Sequence, residues 1–73
     1  MSITNFIKDF SENFEETDES LFLPNTKFRE LDEWDSLTGL AVLNMLKVKY
    51  YKLITAEEFL KISTIEELYN CTI

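Results

Sequence analysis

The 73-residue chain has no histidine, one cysteine, one glycine and one proline. Each scarcity removes a class of chemistry. Without histidine, a serine nucleophile lacks the usual imidazole to take its proton. The H-E-x-x-H zinc signature is absent for the same reason. Cys71 stands alone, so there is neither a disulfide framework nor a cysteine-spaced zinc site. It is expected to pack as a small hydrophobe. With Gly39 the only glycine, no G-x-G-x-x-G turn or P-loop can be built. No apolar run is long enough to span a membrane. The opening M-S-I-T-N-F-I-K-D-F lacks the basic start and continuous apolar centre of a secretion signal, so a cytoplasmic protein is expected.

Positive charge is also scarce, and unevenly so. Residues 1–35 carry three cations against ten acids, a net of −7, whereas residues 36–73 balance four lysines with four glutamates. This argues against nucleic acid as a partner, because such binding needs basic surface to displace counterions. The acids suit a basic protein partner or simple solubility equally well. Apolar residues make up 45%, too many for a disordered chain. The length predicts a single domain over 1–73, with a thin core that buries about 60% of the unfolded surface.

The apolar pattern is helical. Ile3, Phe6, Ile7, Phe10 and Phe14 follow a 3.6-residue period and predict an amphipathic helix over 2–15. Residues 16–35 break that period and read as a long loop anchored by Leu21, Phe22, Leu23, Phe28, Leu31 and Trp34. Asp35 is a good N-cap for a second helix over 36–51, with Val42, Leu43, Leu46 and Tyr50 as its core stripe. Leu37, Leu40, Ala41, Asn44 and Val48 fall outside that stripe and suit a partner. Gly39 costs this helix about 1 kcal/mol relative to alanine. Thr55–Glu58 and Thr64–Glu67 read as capping boxes opening two further helices. Phe59, Leu60, Ile62, Ile65, Leu68 and Tyr69 are expected to contribute to the core. The predicted fold is all-α: a small four-helix bundle with a long first loop and a short third helix.

Ser36, in L-D-E-W-D-S-L, is the residue of chemical interest. It has neither a histidine nor a G-x-S-x-G elbow, so it is not expected to be a hydrolytic nucleophile. The acids lie on a solvated loop, unlike a glycosidase pair with one raised pKa. At a helix N-terminus, however, free N–H groups and the helix dipole accommodate phosphate. Ser36 is therefore either an ordinary first-turn serine or a place where another enzyme attaches a phosphate-bearing group.

The motif W-D-S-L, set between an acidic loop and an apolar helix, resembles the acyl carrier proteins. So do the order and spacing of the elements and the ending from Ile54 to Leu68. The resemblance covers essentially the whole chain. It implies that Ser36 carries a covalent 4′-phosphopantetheine arm derived from coenzyme A, whose thiol holds acyl groups as thioesters. It further implies that Asp35 helps the phosphopantetheinyl transferase engage the site. Leu37, Leu40, Ala41, Asn44 and Val48 would face partners: an acyl- or aminoacyl-loading ligase and downstream acyl-processing enzymes. Trp34 is read as a loop anchor. The chain would then be a monomeric shuttle and not an enzyme, in a specialised lipid or secondary-metabolite pathway such as fatty acid or polyketide biosynthesis. An aminoacyl or peptidyl carrier and an unmodified protein-binding module are the alternatives.

Two departures from the fatty-acid branch matter. Ala41, Lys47 and Val48 stand where that branch usually has glutamates, with Lys49 and Lys52 nearby. This puts docking onto basic enzyme patches in doubt. Phe59 and Leu68 stand where small residues commonly line the acyl cleft, so a short acyl, hydroxyacyl or aminoacyl cargo is expected.

Overall fold

The computed structural model describes residues 2–73. It is a four-helix bundle with a long first loop and a short third helix, as the sequence predicts. The helices are α1 (Ile3–Ser11), α2 (Ser36–Tyr50), α3 (Ala56–Leu60) and α4 (Ile65–Asn70). Single 3₁₀ turns at Glu19–Leu21 and Phe28–Glu30 shape the long loop.

The helix α1 is shorter than its apolar period suggests. It ends at Ser11, and the chain then tightens into i→i+3 turns, with Asn13 N–H donating to the Phe10 carbonyl and Phe14 N–H to that of Ser11. The Asn13 side-chain amide also donates to the Phe10 carbonyl at 3.1 Å. That bond occupies a backbone acceptor a longer helix would use. Phe14 still reaches the core. At the other helix end, α2 stops at Tyr50 and not at 51, because Tyr51 turns left-handed (φ 54°).

Both capping boxes form. Thr55 and Thr64 each accept the N–H of the glutamate three residues on, and each glutamate carboxylate accepts the threonine N–H in return. These reciprocal bonds explain how helices of five and six residues hold, since lengths so short are marginal on propensity alone.

Aromatic and aliphatic side chains share a single core. Phe6, Phe10, Phe28, Val42, Leu46, Ile65 and Leu68 are fully buried, joined by Phe14, Phe22, Met45, Phe59 and Ile62. Leu43, Tyr50, Tyr69 and Cys71 pack against them. Cys71 lies just past the end of α4 as its C-cap. Three leucines depart from expectation: Leu21 and Leu23 stay exposed on the loop, and Leu60 is 74% exposed on α3. The anchoring of the loop falls instead to Phe22, Phe28, Leu31 and Trp34.

The long loop is also bonded to α4. Ile65 N–H donates to the Thr26 carbonyl and Glu66 N–H to that of Pro24, while Phe28 N–H donates to Ser63. The loop thus satisfies first-turn donors of α4 that have no partner inside the helix. Lys27 and Thr64 form an isolated antiparallel bridge.

Candidate functional site

The residues around Ser36 are positioned by a cap on one side and an aromatic cluster on the other. Asp35 adopts extended backbone geometry, and its Oδ1 accepts the Thr38 N–H at 2.8 Å. That bond holds the Asp35 carboxyl below its ordinary pKa, since it stabilises the charged form. Ser36 is then the first residue of α2. Its side chain is exposed, and its hydroxyl has no hydrogen-bond partner among the described residues.

Trp34, immediately upstream, is half-buried, with its ring centroid 5.0 Å from Phe28, 6.1 Å from Phe59 and 6.2 Å from Phe14. It anchors the loop against the bundle, as expected. This packing fixes where the chain turns into α2, and therefore where the Ser36 hydroxyl projects.

An open groove of about 380 Å³ begins at Ser36 and runs between α2 and α3. Trp34, Gly39, Leu40, Leu43, Phe59 and Leu60 give it apolar walls. Arg29 supplies its only cationic side chain. The Arg29 guanidinium donates to the carbonyls of Phe59 and Ile62. It also lies 5.0 Å from the centroid of Phe28 and 4.9 Å from that of Phe59, within cation–π range. One loop side chain thereby secures the C-terminal end of α3.

The stripe predicted to face a partner is exposed throughout: Leu37 (73%), Leu40 (64%), Ala41, Asn44 and Val48. The structure divides it. Leu40 borders the Ser36 groove, while Ala41, Asn44 and Val48 line a separate shallow seam against α1 with Asp9, Glu12 and Asn13. Leu60 extends the apolar rim of the groove onto α3.

The apolar character of Leu60 predicts a core position that the structure does not give it, and the sequence reading assigns Arg29 no role. A signal for Arg29 was present, since it is the chain's single arginine, set among acids. Leu60 had none, because its exposure follows from the shortness of α3.

A larger open groove, about 710 Å³, lies within the long loop and is lined by Glu16, Asp18, Glu30, Asp32 and Glu33 among others. It is acidic, and no group of residues suited to holding a metal ion occurs among the described residues. The groove at Ser36 is smaller but combines an accessible hydroxyl, apolar walls and a cation. No helix among the described residues is long and apolar enough to cross a membrane. Comparison of the chain with protein-family models, with curated proteins and with solved structures gave no match.

Proposed function

We propose that the chain is a carrier protein of acyl-carrier type, modified on Ser36 by a 4′-phosphopantetheine arm, and not itself an enzyme. The observation that carries this reading is the Ser36 hydroxyl: exposed, unpartnered among the described residues, and fixed at the start of α2 by the Asp35 cap. A hydroxyl in that state is open to a modifying enzyme. The groove beside it has apolar walls and one guanidinium, which fits a group with a phosphodiester at one end and a largely uncharged body. When bound, the arm would supply the thiol on which acyl groups are carried.

The chain's own residues would divide the remaining work. Asp35 holds the α2 terminus in shape. Leu37 and Leu40 offer exposed apolar contact to the phosphopantetheinyl transferase, the loading ligase and the downstream enzymes; Ala41, Asn44 and Val48 extend that contact toward α1. Phe59 and Leu68 are buried in the bundle, so the space a long chain would need is filled by side chains. This favours a short cargo held outside the core.

The test is intact mass after incubation with coenzyme A, magnesium and a phosphopantetheinyl transferase, beside Ser36→Ala. The expected result is one added phosphopantetheine on the wild type only. No gain across several active transferases, from folded protein, would remove the reading.

A further inference from the structure

The Arg29 guanidinium is half-buried and has no carboxylate within ion-pair distance among the described residues. This is unexpected in a segment so rich in acids. Glu30 and Asp32 are adjacent or nearly so in sequence, yet neither reaches it. Glu33 turns instead to the backbone of Glu15 and Glu16, and Asp35 to that of Thr38. Arg29 meets only neutral partners, two backbone carbonyls and two aromatic rings. A guanidinium carries five N–H donors, so those two carbonyls leave donors to spare. A half-buried cation without a counter-ion favours an incoming anion, and the planar guanidinium is especially suited to phosphate.

The same groove holds Ser36 and Asp35. Phosphate joined to Ser36 would set a second anion beside the Asp35 carboxylate, immediately after the segment 1–35 that carries the whole net charge of −7. A cation within the groove would offset that repulsion beyond what the α2 terminus and solvent supply, and Arg29 is the only one lining it.

We propose that Arg29 is the counter-ion for a phosphate attached to Ser36, a positioning residue that lays the attached group along the groove between α2 and α3. The proposal rests on the reading of Ser36 as the modified residue. It adds a specific partner for the phosphate and predicts that modification changes the state of one identifiable side chain.

Because Arg29 is the only arginine, its Nε–H gives a single assignable signal in a ¹⁵N NMR spectrum. Three forms of the wild-type sequence are compared: unmodified, carrying phosphoserine at position 36 by directed incorporation, and carrying the complete arm after transferase treatment. A downfield shift with slowed hydrogen exchange is expected in both modified forms. Arg29→Met, which keeps an apolar stem over Phe28 and Phe59, should give a phosphoserine form whose melting temperature falls relative to its unmodified counterpart, whereas the wild-type pair should not differ in that direction. No shift with phosphoserine in place overturns the proposal. A shift with the arm alone also overturns it, moving the contact to the arm's amide carbonyls. Failure of several active transferases to load the folded protein removes the carrier reading, while the phosphoserine form still decides whether Arg29 takes a phosphate.

Discussion

The carboxylate of Glu33 reaches back across the long loop to the backbone of Glu15, accepting its N–H at 2.7 Å. It also accepts the Glu16 N–H at 3.0 Å and the Thr17 hydroxyl at 2.6 Å. One side chain just before the W-D-S-L turn therefore closes the loop onto its own beginning, the segment that follows α1. Glu33→Gln keeps the shape but loses the charge and one acceptor oxygen. It should lower the melting temperature and speed amide exchange at Glu15 and Glu16, with α3 and α4 unaffected. Unchanged exchange at those two amides would show that the closure is not made in solution.

Acid should act through the same kind of group. Glu33 is held below its ordinary pKa by the Thr17 hydroxyl first and the Glu15 N–H next. Asp35, Glu58 and Glu67 are lowered chiefly by backbone N–H donors at Thr38, Thr55 and Ser63. A lowered native pKa contributes stability that is complete above the unfolded value and is lost as pH falls through the native one. Relief of the repulsion among excess acids works in the opposite direction. The cap-specific loss is therefore best read as a difference: Glu67→Gln should be less stable than wild type near neutral pH, and the gap should close as pH falls below about 4. A constant gap down to pH 2 would contradict the linkage.

At its alkaline limit the α1–α2 seam should weaken. The Tyr50 hydroxyl donates to Asp9 Oδ2 at 2.6 Å, and burial, reinforced by that bond, pushes its pKa well above normal. Lys49, held by Glu12 and Asp9, is also raised. Both groups contribute stability that is present below their unfolded values and lost as pH rises past about 10. Tyr50→Phe should cost about 1 kcal/mol at neutral pH and reduce the alkaline slope in urea titrations.

Gly39 stands inside α2, where glycine costs about 1 kcal/mol relative to alanine. Its backbone is not in the left-handed region. A Cβ placed there would meet Trp34 Cζ2 at 3.4 Å and Phe59 Cε2 at 3.9 Å, ordinary contact distances. Gly39→Ala should therefore stabilise the fold by about 1 kcal/mol, a rise of roughly 4–8 °C in a domain of this size. A lowered melting temperature would mean that the groove beside Ser36 depends on the missing methyl.

Tyr51 shows the reverse mismatch. It occupies a left-handed position normally given to glycine while its side chain is 90% exposed. Tyr51 N–H and Lys52 N–H both donate to the Leu46 carbonyl, closing the end of α2. Tyr51→Gly should stabilise by about 0.5–1 kcal/mol, strain relief being partly offset by a freer unfolded chain. Tyr51→Ala should give no such gain, because it keeps the Cβ that causes the strain. Equal melting temperatures for the two variants would overturn this account.

The legibility of the fold followed the physics of each signal. Capping needs only residues three apart, so Asp35, Thr55 and Thr64 were readable directly and all form the expected bonds. Helical periodicity was readable where a helix has one core face, as at Phe6 and Phe10. It overreached where a local competitor intervened, since Phe14 keeps the period but Asn13 has already turned the chain. The break in period over residues 16–35 predicts a long, anchored loop but does not separate the apolar residues that anchor it from those that stay exposed. Burial of Phe22 against exposure of Leu21 and Leu23 depends on how the loop crosses α1 and α4. The hydroxyl and its cap at Ser36 were local and visible. The groove was not, because Arg29, Gly39 and Phe59 come together only through tertiary packing.

Leu40 offers the sharpest separation of fold from function. It is 64% exposed on α2 and borders the Ser36 groove, so replacing it removes little internal packing. Surface changes of this kind usually move stability by less than about 0.5 kcal/mol. If partners of the proposed carrier grip this rim, Leu40→Glu removes an apolar contact and inserts a charge where desolvation is required. Loss of one such contact at about 1.4 kcal/mol corresponds to a tenfold change. The expected outcome is an unchanged melting temperature with roughly tenfold slower phosphopantetheine loading, read by intact mass over time. Val48→Glu, on the seam toward α1, serves as the comparison and should slow loading less. Equal rates for wild type and both variants would show that the exposed face of α2 is not where the modifying enzyme binds.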